Sequence, residues 1–244
     1  MRWLCFLLGS PLAAQATPAA RSLRFDLRAI PETRDSFALL SAGREAGYVV
    51  VQYEIRSLEM GEVLVFTEEV GIGATFRERA RVTMNRVTGA PLSSYQRLEF
   101  SGPQADTTGI EHDLEVKGAE VQGRRRVERR NGDVAITPVY VPLPAGAVWS
   151  RYGFYAAPAV TLASGDSAVV PGYVEFGDSL APLWAVGEAP TTITVRGTSW
   201  EVVPLRLSGA RMYVSRKAPR RIVRIEAIGR PLVSELTGSG PVVR

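Results

Sequence analysis

Apolar and polar positions alternate along most of this chain. Val49, Val51, Tyr53 and Ile55 interleave with Val50, Gln52, Glu54 and Arg56. Phe76, Ala80, Val82 and Met84 interleave with Arg77, Arg79, Arg81 and Thr83. Ile110, His112, Leu114 and Val116 interleave with Glu111, Asp113, Glu115 and Lys117. A period of two with one wet face is the pattern of antiparallel sheet. Turn residues punctuate it at Ala42-Gly43, Met60-Gly61, Gly71-Ile72-Gly73, Thr88-Gly89, Ser101-Gly102-Pro103, Asn131-Gly132, Gly197-Thr198 and Ser208-Gly209. Asn131-Gly132 carries the strongest two-residue hairpin signal. This spacing predicts an all-β chain, a large curved antiparallel sheet or open half-barrel of roughly a dozen strands.

One stretch departs from period two. After Pro138, Pro142 and Pro144, the positions Val148, Tyr152, Tyr155, Ala156 and Ala159 approach helical spacing. They predict one short helix near 147–157, stopped by Pro158. Residues 17–34 form a polar, Pro-containing lead-in, in which Leu23, Phe25 and Leu27 suggest a short first strand. Residues 35–236 read as a single β domain whose sheet runs through both halves, and 237–244 as a flexible tail.

The first sixteen residues change the setting. Met1-Arg2 is followed by an apolar run from Trp3 to Leu8, then by Ala14-Gln15-Ala16. That order predicts a secretory signal peptide cleaved after Ala16, and hence a periplasmic or secreted protein. Cleavage would remove Cys5, the only cysteine. The rest of the chain would then have no disulfide, no thiol nucleophile and no cysteine metal site. No other stretch approaches the ~18 uninterrupted apolar residues of a membrane span.

Composition narrows the chemistry further. His112 is the only histidine, so a Ser-His-Asp triad would have to pass through it, and a zinc site would need several carboxylates around one imidazole. Net charge is +4, and lysine occurs only at Lys117 and Lys217. Acids nearly balance the arginines and no nucleic-acid motif accompanies them, so no nucleic-acid partner is expected. Gly71-Ile72-Gly73 has Phe76 where a dinucleotide fingerprint needs its third glycine. Gly165-Asp166-Ser167-Ala168-Val169 lacks the second glycine of a nucleophile elbow. No catalytic residue, metal site or cofactor is predicted.

Three groups remain as candidates. Glu111, Asp113 and Glu115 share one strand face at about 6.6–6.8 Å spacing, a ladder that suits a solvated face better than a converging ion site. Arg124, Arg125, Arg126, Arg129 and Arg130 form a basic ribbon that would meet acidic headgroups or a partner, or simply keep an edge wet. The aromatic residues Trp149, Tyr152, Phe154, Tyr155 and Trp184 would either fill the core or line an apolar ligand pocket.

The C-terminal third runs Thr191 to Gly197, Trp200 to Leu207, then Tyr213 to Arg216 and Pro219 to Glu226. In this order of segments the chain resembles uncharacterised exported bacterial proteins grouped as a domain of unknown function. Those are similar in architecture to periplasmic lipoprotein carriers. The resemblance spans roughly residues 35–236 and carries no defined catalytic residues. It implies an open half-barrel that handles an apolar envelope component. Three functions stay open at this point. One is a non-enzymatic exported protein that binds a lipid, another apolar molecule or a lipidated partner. The second is a structural envelope module with a packed core that contacts an envelope protein. The third is a hydrolase dependent on His112.

Overall fold

The computed structural model describes residues 21–59 and 61–242. The residues read as a signal segment, with Cys5, lie outside the described residues. The strands are β1 (Arg21–Ser22), β2 (Thr33–Ser41), β3 (Arg44–Leu58), β4 (Gly61–Ile72), β5 (Phe76–Asn85), β6 (Pro91–Phe100), β7 (Thr107–Lys117), β8 (Glu120–Arg129) and β9 (Val134–Pro142). They continue with β10 (Val148–Trp149), β11 (Ser167–Val174), β12 (Ser179–Gly187), β13 (Thr191–Val195), β14 (Thr198–Leu207), β15 (Ala210–Ser215), β16 (Ile222–Ala227) and β17 (Leu232–Gly240). One α-helix, α1 (Ser150–Tyr155), follows β10, and short 3-10 turns occupy Leu27–Ala29 and Ala157–Ala159.

The seventeen strands among the described residues belong to one sheet. From β2 to β9 each strand pairs antiparallel with the next. The second half pairs from β11 to β17, and β17 lies against β2, joining the halves. The two-residue strands β1 and β10 both lie parallel to β11 on its outer edge. Among the described residues no ladder joins β9 to β11, so the sheet does not close into a barrel. More strands form than the dozen expected, because several short ribbons in the second half pair separately.

Local chemistry sets the corners. Three hairpins turn on two residues of positive φ, namely Ala42-Gly43, Arg196-Gly197 and Ser208-Gly209. Two positive φ values match the right-handed twist of the flanking strands. The Asn131-Gly132 loop is wider than its dipeptide suggests. It spans residues 130–133, because the Asn131 carboxamide oxygen accepts the Asp133 N–H at 3.1 Å and builds an Asx turn. Gly71 does not turn either. It lies inside β4, where an added Cβ would stand 2.5 Å from the Tyr48 ring, and the turn follows at residues 73–75.

Burial follows the alternation. In β5, Phe76, Glu78, Ala80, Val82 and Met84 are buried, whereas Arg77, Arg79 and Arg81 face solvent. The inner faces of both halves meet around α1, and Trp149, Tyr152, Tyr173 and Phe66 are almost completely enclosed there. Two expectations are corrected. The lead-in strand shrinks to Arg21–Ser22, with Leu23 and Leu27 buried beyond it. The tail from Thr237 is not loose as far as Gly240, because β17 continues to that residue against Arg34 and Asp35.

Candidate functional site

Helix α1 has two unlike sides. At 3.6 residues per turn, Ser150, Arg151, Phe154 and Tyr155 share one side, and Trp149, Tyr152 and Gly153 the other. The second side is packed. Tyr152 meets Phe25 at 5.4 Å between ring centres, and Trp149 stands edge-on to Tyr173 at 5.4 Å. A Cβ at Gly153 would overlap Leu183, so this position brings the helix close to β12. The first side faces a cavity of about 190 Å³.

The cavity wall is mostly apolar. Leu39, Val70, Phe76, Leu98, Phe100 and Met212 contribute to it from strands on both sides of the β17–β2 seam. Strands that far apart in the sheet order share one cavity only because the sheet is strongly curved. Phe154 and Tyr155 form its helix side. Tyr155 stacks on Phe66 at 4.7 Å, and its carbonyl accepts the Tyr53 hydroxyl at 2.9 Å, which fixes the helix to the sheet.

Charge is concentrated on one wall. The Arg151 guanidinium binds Glu68, and it binds Glu78 at 2.5 Å. The Tyr155 hydroxyl donates to Glu68, and the Gln96 amide donates to Glu78 at 2.7 Å. Glu175, just past β11, accepts the Ser150 hydroxyl at 2.9 Å. Trp149, the helix N-cap, offers no side-chain acceptor, so this carboxylate from the turn after β11 stands where a cap would. Burial raises the pKa of Glu78 and of Glu175, with Arg151 opposing the rise in both. Burial would lower the Arg151 pKa, but Glu78, Glu68 and Glu175 outweigh it and hold the guanidinium charged.

Glu68 and Gln96 belong to a row of register partners across the inner face. Direct register partners run Asp35, Val51, Glu68, Ala80, Gln96, His112, Arg125 and Thr137 through β2 to β9. Directly opposed antiparallel residues share a face, so the row is one band. Asp35, Glu68, Gln96 and His112 are all buried within it. His112 is fully enclosed, and neither imidazole nitrogen has a hydrogen-bond partner among the described residues. Burial, reinforced by Arg125 and Arg151, lowers its pKa to about 4. A neutral imidazole without a hydroxyl or carboxylate partner does not assemble a triad.

The other candidates separate. Phe154 and Tyr155 line the cavity, whereas Trp149 and Tyr152 lie behind the helix. Trp184 stands outside the cavity wall and is 43% exposed on β12. The outward ladder is neutralised in place: Glu111 pairs with Arg97 at 3.3 Å, Asp113 with Arg124 at 3.6 Å and Glu115 with Lys117 at 3.3 Å. The basic ribbon is divided. Arg124 and Arg129 are exposed, Arg126 pairs with Glu128, Arg130 binds loop carbonyls, and Arg125 opposes His112 on the inner face. Among the described residues no helix is long and apolar enough to cross a membrane, and no group of three His, Cys, Asp or Glu is placed to hold a metal ion.

Glu68, Glu78, Gln96, Arg151 and Glu175 carry the site's chemistry, and alternation alone does not single them out. Their signal is parity. Glu68 and Glu78 fall on the apolar phase of their strands, between Phe66 and Val70 and between Phe76 and Ala80. Comparison with protein-family models, curated proteins and solved structures finds no match.

Proposed function

We propose that this chain is an exported, non-catalytic binding protein of the cell envelope that encloses the apolar part of a small amphiphile. One observation carries this reading: an apolar cavity within a curved sheet, bounded on one wall by a buried, hydrogen-bonded Arg–Glu cluster. Ligand sites combine an apolar lining with a few fixed polar groups in this way. The volume of about 190 Å³ constrains the occupant. It exceeds the ~150 Å³ that admits benzene and falls below the ~300–1,000 Å³ of drug-sized pockets. One short chain or the end of a longer one fits; a whole two-chain lipid does not.

The test is what travels with the protein. Native mass spectrometry and solvent extraction of the purified chain should recover an amphiphile, and the apolar dye N-phenyl-1-naphthylamine should fluoresce on binding and be displaced by it. Repeated absence of both co-purified lipid and dye binding would sink the reading. It would leave the structural envelope module, which the solid packing behind the helix at Trp149, Tyr152 and Tyr173 favours.

A further inference from the structure

The outer face of the sheet carries a second hollow, of about 380 Å³. Two rows of register partners cross it. One runs Arg34, Gln52, Thr67, Arg81 and Tyr95 from β2 to β6, then continues to Asp113 and Arg124. The other runs Val50, Glu69, Arg79 and Arg97 from β3 to β6, then continues to Glu111 and Arg126. Val50 and Thr67 are short and lie on the two inner strands of this stretch, β3 and β4. Longer residues flank them, Arg34 on β2 and Arg79, Arg81 and Tyr95 on β5 and β6, and the difference in length makes the concavity.

Charge is balanced at one end of these rows and not at the other. From β6 to β8, Arg97 pairs with Glu111 and Glu128, Arg124 with Asp113, and Arg126 with Glu128. Around the hollow, no hydrogen bond or ion pair engages the guanidinium of Arg34, Arg79 or Arg81 among the described residues. Two carboxylates line it, and both are committed. Glu69 accepts the Tyr48 hydroxyl at 2.8 Å, and Glu68 is held from the inner face by Arg151 and Tyr155. Arg79 also stands directly opposite Arg97, and like charges in that relation are destabilising. Three exposed guanidiniums without an internal anion therefore surround one concavity.

We propose that this hollow binds a phosphate or pyrophosphate group carried by a small soluble molecule. It lies on the opposite face from the apolar cavity and does not depend on the reading given for that cavity. Arginine forks match the oxygens of phosphate in pairs. Arg79 and Arg81 are about 6.6–6.8 Å apart along β5, and Arg34 reaches in from β2, roughly 14 Å away at about 4.8 Å per strand. Contacts from two sides suit a group whose oxygens point in several directions. A planar carboxylate, with two oxygens, occupies one fork and leaves the others unfilled. The Thr67 hydroxyl, between the two sides, is a further donor.

Pyrophosphate titrated calorimetrically into the full chain at about 0.15 M salt should bind, and acetate at the same concentration should not. Arg79→Gln and Arg81→Gln should each weaken pyrophosphate about tenfold or more, the usual worth of a hydrogen bond to a charged group. Arg206→Gln removes the same charge from an ion pair with Glu188, away from the hollow, and should leave the affinity unchanged. All three positions are exposed, so the variants should fold, which their melting temperatures check. No binding of pyrophosphate, equal affinity for acetate, or an equal loss in Arg206→Gln would each overturn the proposal. So would binding to phosphatidylglycerol vesicles that free pyrophosphate fails to displace, which would make this face a lipid contact. Dye binding in the apolar cavity is read separately and is indifferent to every one of these results.

Discussion

Arg151 on the helix and Glu78 on β5 meet at 2.5 Å inside the sheet, and Gln96 closes on the same carboxylate from β6. The helix is only six residues long and would not persist alone in water. Its position is fixed by this pair, by the Glu68 contacts and by the Tyr53–Tyr155 bond.

Arg151→Met should therefore be severely destabilising. It leaves Glu68 and Glu78 enclosed without their counter-charge, a change that costs about 3–5 kcal/mol in buried pairs. Urea denaturation at pH 7.5 measures it. The deficit should shrink in acid, where the Glu78 carboxyl, raised by burial, can protonate; a loss below about 1 kcal/mol would mean the pair is solvated.

His112 predicts an acid-sensitive contribution. Its folded pKa is about 4 against an ordinary 6.5, so the unfolded chain binds the proton first. The contribution is whole above pH 6.5, declines as pH falls below that value, and is lost by about pH 4. The shift corresponds to roughly 3 kcal/mol. His112→Leu should keep stability near pH 7 within about 1 kcal/mol, because both ring nitrogens are already unpartnered, and should gain on wild type at pH 5. Comparing the two proteins cancels the opposite drift from Glu78 and Glu175, whose raised pKa values favour the folded state toward acid. Parallel stability curves would place His112 in water.

Val70→Phe tests the cavity itself. Val70 lines it and is 5% exposed. A ring entering about 190 Å³ of empty space should displace N-phenyl-1-naphthylamine while changing stability by about 1–3 kcal/mol or less. Unchanged dye affinity in a folded variant would locate the dye elsewhere.

Arg124→Ala should do almost nothing. Its partner Asp113 lies 3.6 Å away and both side chains are more than half exposed. Exposed pairs of this kind contribute about 0–1 kcal/mol, reduced by salt. A larger loss in denaturant titrations would give the outer ladder a structural weight that its exposure argues against.

Alternation made the sheet legible, since each period-two segment from Val49 to Met84 became half of a hairpin with its apolar phase inward. Helical spacing at Val148, Tyr152 and Tyr155 located α1 to within a few residues. It did not tell its two sides apart, because Trp149 and Phe154 are equally apolar in a list and differ only in what the sheet presents to them. The Arg–Glu cluster is also a tertiary product. Glu68, Glu78, Arg151 and Glu175 come from separate elements, and only the curvature of the sheet gathers them. What the chain does display is a charge on the wrong parity at Glu68 and Glu78, which marks where a partner must exist.

The seam between β17 and β2 has a consequence for how the molecule forms. The strand nearest the C-terminal end of the described residues occupies the middle of the sheet, and the edges are β9 on one side and β1 with β10 on the other. During synthesis, the blocks β2–β9 and β11–β16 can each zip up through neighbouring hairpins, yet nothing in the ladder connects them until β17 arrives. The pairing of Leu236 with Phe37 spans most of the polypeptide, the kind of distant closure that makes β topologies slow to fold. Until that last ribbon inserts, the inner faces of both blocks lie open. Shortening the chain before Leu232 would therefore yield two half-sheets with their apolar sides uncovered, a product suited to aggregation or to a chaperone rather than to a smaller version of the same protein.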